Sequence, residues 1–270
     1  MASYSDIVGQ VDWDSVPALA TISDDWCQGR TVFGGLTTGL ALRALLTQVD
    51  PERPLRSVLA SFVGPVQVGD VAITTQILRE GQNVTHAQAN IVQEDACCCT
   101  ILACFGKDRD SAVRHDASPM PAMADPEALI RAPFVPGITP EFTRNVDYRW
   151  TSESMPYLGN GTGTSDGWIR MLDECAISPD LLMLLVDAWP SPALAMLQGP
   201  APVSSLTWGL EIFHLNPQHR ASDWWRIHSC IESAAEGYVY EDALIWAADG
   251  APVARSRQTV SVYLPNRERK

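Results

Sequence analysis

Three features of this chain could take part in acid–base or electrophilic chemistry. Asp187 follows an apolar run, Leu181-Leu182-Met183-Leu184-Leu185-Val186, which predicts a buried helix over Asp180–Val186. A carboxylate in that place is short of water and lies at a helix C-terminus, where the dipole disfavours negative charge. Both effects raise its pKa and suit it to act as a general base. The same residue type serves equally as a cap on the turn before Pro190. Gln258 sits in a strand-like run with Val260, Val262 and Tyr263. There it must either face solvent or find hydrogen-bond partners, and its amide can hold a water by donating and accepting together. Gly34 and Gly35 precede an apolar helical pattern. Glycine lets backbone approach a ligand, and free N–H groups at a helix start can polarise a carbonyl as an oxyanion hole. Close packing of helix on sheet asks for the same glycines.

Other chemistries find no support. His86, His115, His214, His219 and His228 have no metal-ligand spacing, no GxSxG elbow exists, and Gly159-Asn160-Gly161-Thr162-Gly163 lacks the lysine of a phosphate loop. Cys97, Cys98 and Cys99 are adjacent in a strand-like segment, so alternation keeps them from facing one metal. They read as small core residues of a reducing compartment, while Cys27 falls in a polar loop. No metal site and no redox cofactor is expected. A net charge of −13 argues against nonspecific nucleic-acid binding. No run approaches the roughly 18 apolar residues of a membrane span. Met1–Asp6 has neither a basic region nor an apolar stretch, so a cytoplasmic location is the default expectation.

The elements that must position these groups come in two similar sets. After a short strand at Val16–Ile22, a helix over Leu36–Val49 is followed by strands at Leu55–Pro65, Val71–Glu80, Val84–Gln93 and Cys97–Phe105. Later, a strand near Thr164–Ile169 and the helix at Asp180–Val186 are followed by strands at Ser204–His214, Trp224–Ala234, Tyr238–Trp246 and Pro252–Tyr263. The two stretches echo each other: Phe62, Pro65 and Arg79-Glu80-Gly81 in one, Phe213, Pro217 and Ala235-Glu236-Gly237 in the other. Such self-similarity marks two copies of one supersecondary unit, and pockets favour the seam between units. Three segments follow: residues 1–110, a connector at 111–140, and residues 141–270. The connector carries Pro119, Pro121, Pro126, Pro133, Pro136 and Pro140, so it is expected to run over the outside and add no strand. The polar tail Asn266–Lys270 is expected to fray.

One apolar helix wrapped by an antiparallel sheet, made twice, is an α+β arrangement. Val32-Phe33-Gly34-Gly35 before a helix, Ser61-Phe62-Val63-Gly64-Pro65, Leu78-Arg79-Glu80-Gly81 and Ala254-Arg255-Ser256-Arg257-Gln258 resemble the double hot-dog acyl-CoA thioesterases of the thioesterase II type. The resemblance covers both halves and implies two antiparallel sheets, joined edge to edge, each wrapped on a long central helix. It implies acyl-CoA as the substrate, hydrolysed by a water that Asp187 activates and Gln258 orients. It also implies a third polar residue from the strand after the second helix, where Ser204, Ser205 and Thr207 stand. Alternation puts Ser205 and Thr207 on one face and Ser204 on the other. Phe33, Gly34 and Gly35 are the implied substrate-binding residues. A non-catalytic acyl-CoA or lipid-binding module and an acyl-thioester dehydratase on the same fold are the alternatives. A fused pair supplies the usual hot-dog dimer internally, and further homo-oligomerisation through sheet edges is left open.

Overall fold

The computed structural model of the protein describes residues 2–263, so the tail Asn266–Lys270 lies outside the described residues. In the first half, α1 (Tyr4–Gln10) and β1 (Ala18–Ile22) lead through a two-residue ribbon, β2 (Cys27–Gln28) and β3 (Thr31–Val32), into α2 (Gly34–Leu46). β4 (Leu55–Phe62), β5 (Gly69–Glu80), β6 (Val84–Gln93) and β7 (Ala96–Gly106) complete that half. Beyond the connector come β8 (Ile130–Arg131), β9 (Val146–Trp150), β10 (Thr164–Met171), α3 (Pro179–Asp187) and a short α4 (Ala193–Met196). β11 (Val203–Ile212), β12 (Trp225–Ala235), β13 (Tyr238–Trp246) and β14 (Pro252–Val262) follow.

All strands but the β2–β3 ribbon join one antiparallel sheet of twelve strands, in the order β1-β5-β6-β7-β4-β11-β14-β13-β12-β10-β9-β8. The expected pair of sheets is thus one continuous sheet. β4 and β11 pair along Ser57–Ser61 and Thr207–Glu211, so neither half has a free edge at the seam. The repeat is visible in the topology. β1-β5-β6-β7-β4 on one side and β10-β12-β13-β14-β11 on the other are the same connectivity run in opposite directions.

Alternation explains which face is covered. Ala87, Ala89 and Ile91 of β6 and Ile101, Ala103 and Phe105 of β7 point to the helices and are buried. α2 has three glycines and two threonines, poor helix formers, and ten of its residues are buried. Its stability therefore comes from packing against β5, β6, β7 and α3 rather than from propensity. The second helix is short, nine residues rather than a long rod, because Pro190 and Pro192 follow its end. Both glycines at the start of α2 belong to the helix itself, with Phe33 at the N-cap position.

Two segments differ from expectation. The connector crosses the outer face, where the indole N–H groups of Trp246 and Trp168 donate to the carbonyls of Ser118 and Ala124, each at 3.0 Å. It does, however, contribute a strand: Ile130 and Arg131 pair with β9. Residues 127–132 are free of proline, and at the sheet edge only one side must pair. The N-terminal segment forms α1, capped by the Ser3 hydroxyl. The Tyr4 hydroxyl donates to Asp180 Oδ2 at 2.7 Å and ties this helix to the start of α3. No described helix is long and apolar enough to cross a membrane.

Candidate active site

Asp187 is the last residue of α3. That helix end meets the first turn of α2, so the carboxylate faces Gly34 and Gly35 from the other half of the molecule. A Cβ on Gly34 would stand 3.1 Å from Asp187 Oδ2, and one on Gly35 would stand 3.1 Å from Asp187 Cβ and 2.4 Å from the Phe33 ring. Only glycine allows this approach. Phe33 itself is buried, stacked on Phe142 with ring centroids 3.9 Å apart, so it braces the turn from the core side.

Gln258, on the helix-facing side of β14, donates from Nε2 to Asp187 Oδ1 at 3.0 Å. Its Oε1 accepts from the Ser205 hydroxyl at 3.0 Å. The chain Ser205–Gln258–Asp187 thus fixes the amide's orientation and leaves the second carboxylate oxygen toward α2. Thr207 does not join it. The register slips between Ser205 and Thr207, so Leu206 is an extra residue in β11 and the alternation reverses there. Thr207 consequently shares the outer, exposed face with Ser61, and Ser205 shares the inner face with Trp208. This corrects the expectation that Ser205 and Thr207 face the same way.

Burial pushes the Asp187 carboxyl up from 3.8 to about 6, while hydrogen bonds from Gln258 and the Gly35 backbone N–H pull against that rise. Its surroundings carry the mark of the same charge. The Tyr148 hydroxyl, which donates to the Ala188 carbonyl at 2.9 Å, is pushed up by burial and by Asp187. Cys99 is pushed up to about 12 by burial, by its neighbouring thiol Cys97 and by Asp187. Glu241 is raised to about 7, first by burial and then by Asp187, although a hydrogen bond from Ser191 opposes this. Glu241 pairs across the sheet with Gln258. Neither Glu241 nor Cys99 stood out as a site residue in the sequence. For Glu241 a signal exists: Val239, Glu241, Ala243 and Ile245 alternate onto the inner face, where an acid is out of place.

Among the described residues no group of three or more His, Cys, Asp or Glu side chains is placed to hold a metal ion. Cys27 is buried rather than exposed in a loop, and burial raises its thiol. A cleft of about 590 Å³ lies on the outer face beneath His115–Ser118 of the connector. Its Asp242 is already held by Arg255 and Arg257, and it contains none of the groups around Asp187.

The family model of the acyl-CoA thioesterase C-terminal domain matches residues 116–262, and that of the N-terminal domain matches residues 22–106. The chain belongs to this acyl-CoA thioesterase family, both of whose domains it carries in order. Among solved structures, a conserved protein of unknown function with a hot-dog fold from Alicyclobacillus acidocaldarius matches with a TM-score of 0.83 at 19% identity, covering 98% of this chain and 99% of that one. The acyl-CoA thioesterase II TesB2 of Mycobacterium marinum matches with a TM-score of 0.77 at 18% identity, over 98% and 99% of the two chains. The tesB protein of Mycobacterium avium subspecies paratuberculosis matches with a TM-score of 0.76 at 17% identity, over 97% and 100%. At these identities the likeness shows the hot-dog fold. No curated protein matches the chain.

Proposed function

We propose that this protein is an acyl-CoA thioesterase of double hot-dog architecture, and that Asp187 is its general base. The observation that carries the reading is the Ser205–Gln258–Asp187 chain set against the start of α2. In this reading a water accepts from the second Nε2 hydrogen of Gln258, the first being donated to Asp187 Oδ1, and itself donates to the Asp187 carboxylate. Asp187 takes its proton as the oxygen attacks the thioester carbonyl carbon. Negative charge then develops on the carbonyl oxygen. With the Gly35 N–H turned to Asp187, the remaining free N–H groups of the first turn of α2 stabilise that charge. When the C–S bond breaks, the proton on Asp187 returns to the departing thiolate. A carboxyl with a pKa of about 6 suits both transfers. Gln258 and Ser205 act by orienting the water, and neither carries a proton.

Free thiol release from a panel of acyl-CoA thioesters tests this. The wild type should turn over at least one of them, and Asp187→Asn should lower kcat by roughly 10²- to 10⁴-fold, the usual worth of a general base. Wild-type rates in Asp187→Asn would refute the mechanism. Binding of acyl-CoA without any turnover by the wild type would favour a non-catalytic acyl-CoA-binding module.

A further inference from the structure

Glu241 has no part in the step above, yet it stands directly beside it. On the inner face of β13 it lies opposite Gln258 of β14, and side chains directly opposed across a ladder have Cβ atoms about 4.5–5.5 Å apart. The two wall one small space with Val186 of α3 and Trp189 just past its end. The Ser191 hydroxyl donates to Glu241 Oε2 and accepts from the Ala193 N–H at 3.3 Å. The turn that follows Asp187 is thereby hooked to the strand beside Gln258. Holding Ser191 does not call for an acid, because a glutamine oxygen accepts the same bond without bringing charge to an inner face.

The surroundings of Glu241 offer that charge no counterion. Its neighbours across the ladders are Ile231 of β12 and Gln258 of β14, and α4 has only apolar side chains. Arg255 and Arg257 are turned to the outer face, where both donate to Asp242. The charge that acts on Glu241 is that of Asp187, of the same sign. Burial first, and then Asp187, keep the Glu241 proton in place up to about 7, against the hydrogen bond from Ser191. The orientation of Gln258 shows what ionisation would change. Its Oε1 is turned to Ser205 of β11 and its Nε2 to Asp187. β14 lies between β11 and β13, so the amide nitrogen is turned away from β11, on the side where Glu241 stands. One Nε2 hydrogen goes to Asp187, and the other is the one from which the attacking water accepts. A carboxylate accepts an N–H bond roughly twice as strongly as a neutral group, so an ionised Glu241 competes with the water for it.

We propose that Glu241 is a positioning residue for this reaction and must be protonated: as a neutral acid it leaves the second Nε2 hydrogen of Gln258 to the attacking water, and as a carboxylate it takes that hydrogen. The inference rests on the thioesterase reading and adds a residue to it. Its test is the pH profile of thiol release from any acyl-CoA that the wild type hydrolyses. Asp187 and Glu241 titrate as a pair, so kcat/KM should be bell-shaped, rising through about 6 and falling through about 7, by about tenfold or more at pH 9. Glu241→Gln keeps the acceptor for Ser191 and should lose the falling limb, holding its rate within about twofold from pH 7 to pH 9. Ser191→Ala removes a bond that favours the ionised form, so its falling limb should move to higher pH. A wild type without a falling limb, or the same limb in Glu241→Gln, overturns the proposal. An unmoved limb in Ser191→Ala does so too, and decides alone if Glu241→Gln does not fold. If no thioester is hydrolysed, the thioesterase reading fails by itself, and the side-chain amide NMR signal of Gln258 decides on Glu241. A titration step near 7 in the wild type that Glu241→Gln lacks supports the capture of the Gln258 hydrogen, and the same curve in both proteins refutes it.

Discussion

Asp187 shows how a single carboxylate can be useful and costly at once. In the folded protein it holds its proton up to about 6, whereas the free side chain releases it near 3.8. Its protonated form therefore stabilises the fold fully below about pH 4, and that contribution is lost as pH rises through 6. At pH 8 the native state carries an ionised, desolvated carboxylate beside Glu241, Cys99 and Tyr148. Asn has the same shape and no such cost. Asp187→Asn should be more stable than wild type at pH 8 by up to about 3 kcal/mol, and the gap should close toward pH 4. Urea unfolding at the two pH values checks this, and an equal gap at both would show that ionisation is not its source. Activity should run the other way, with kcat/KM rising through an apparent pKa of about 6 as the base is freed. A second residue-scale test separates the two hydroxyls of β11. Ser205→Ala removes the hydrogen bond that orients Gln258 and should lower kcat, while Thr207→Val, on the outer face, should leave it unchanged. The reverse result would place the bulge at Leu206 wrongly. That bulge also marks where the sequence became illegible. Strand patterning located the strands that carry Gln258 and Ser205 and left the face of Gln258 open, but one inserted residue inverts the alternation within β11, and no residue type announces the insertion.

Among the elements, α2 carries the most constraint per residue. Its sequence, GGLTTGLALRALL, was legible as a buried helix from its apolar spacing, though its start was displaced by two residues because glycines are weak helix formers. Tertiary packing overrides that weakness here: the turn must be bare so that α3 can bring Asp187 against it. Gly35→Ala isolates the point. An alanine would normally stabilise a helix by about 1 kcal/mol. Here its Cβ would fall 2.4 Å from the Phe33 ring, which Phe142 prevents from moving away, and 3.1 Å from Asp187 Cβ. Overpacking should win, destabilising the protein by about 1–3 kcal/mol and lowering turnover together. A variant as stable and as active as wild type in thermal melts and thiol-release assays would show that the turn is looser than drawn. α1, by contrast, was not foreseen. Seven residues give too little periodicity to read, and what holds it is the distant Tyr4–Asp180 hydrogen bond, which no local pattern contains.

For the whole molecule, the echo between Phe62–Gly81 and Phe213–Gly237 proved to be a topological repeat, because each half needs the same strand order to cover its helix. What the echo did not contain is how completely the halves depend on one another. β4 is an interior strand only because β11 pairs with it, α2 packs directly on α3, and one hydrophobic core runs through both halves. The candidate site repeats the point, with Gly34 and Gly35 from one half and Asp187, Gln258 and Ser205 from the other. A fragment ending near residue 110 would keep α2 and five strands of the main sheet but expose the edge of β4 and the apolar face of α2. An unpaired edge whose pairing stretch, Ser57–Ser61, carries no charge, beside an uncovered apolar face, is a template for self-pairing. Residues 1–110 expressed alone should therefore not give a folded monomer. They should either remain unfolded by circular dichroism or associate, as seen by sedimentation, with a second copy's β4 taking the place of β11. A stable, monomeric and cooperatively melting fragment would show that the halves are independent domains. In the intact chain the same logic makes stability and activity inseparable at the seam: mutations that loosen the β4–β11 pairing should lower the melting temperature and kcat together, because the groups on either side of Asp187 are held in place by opposite halves.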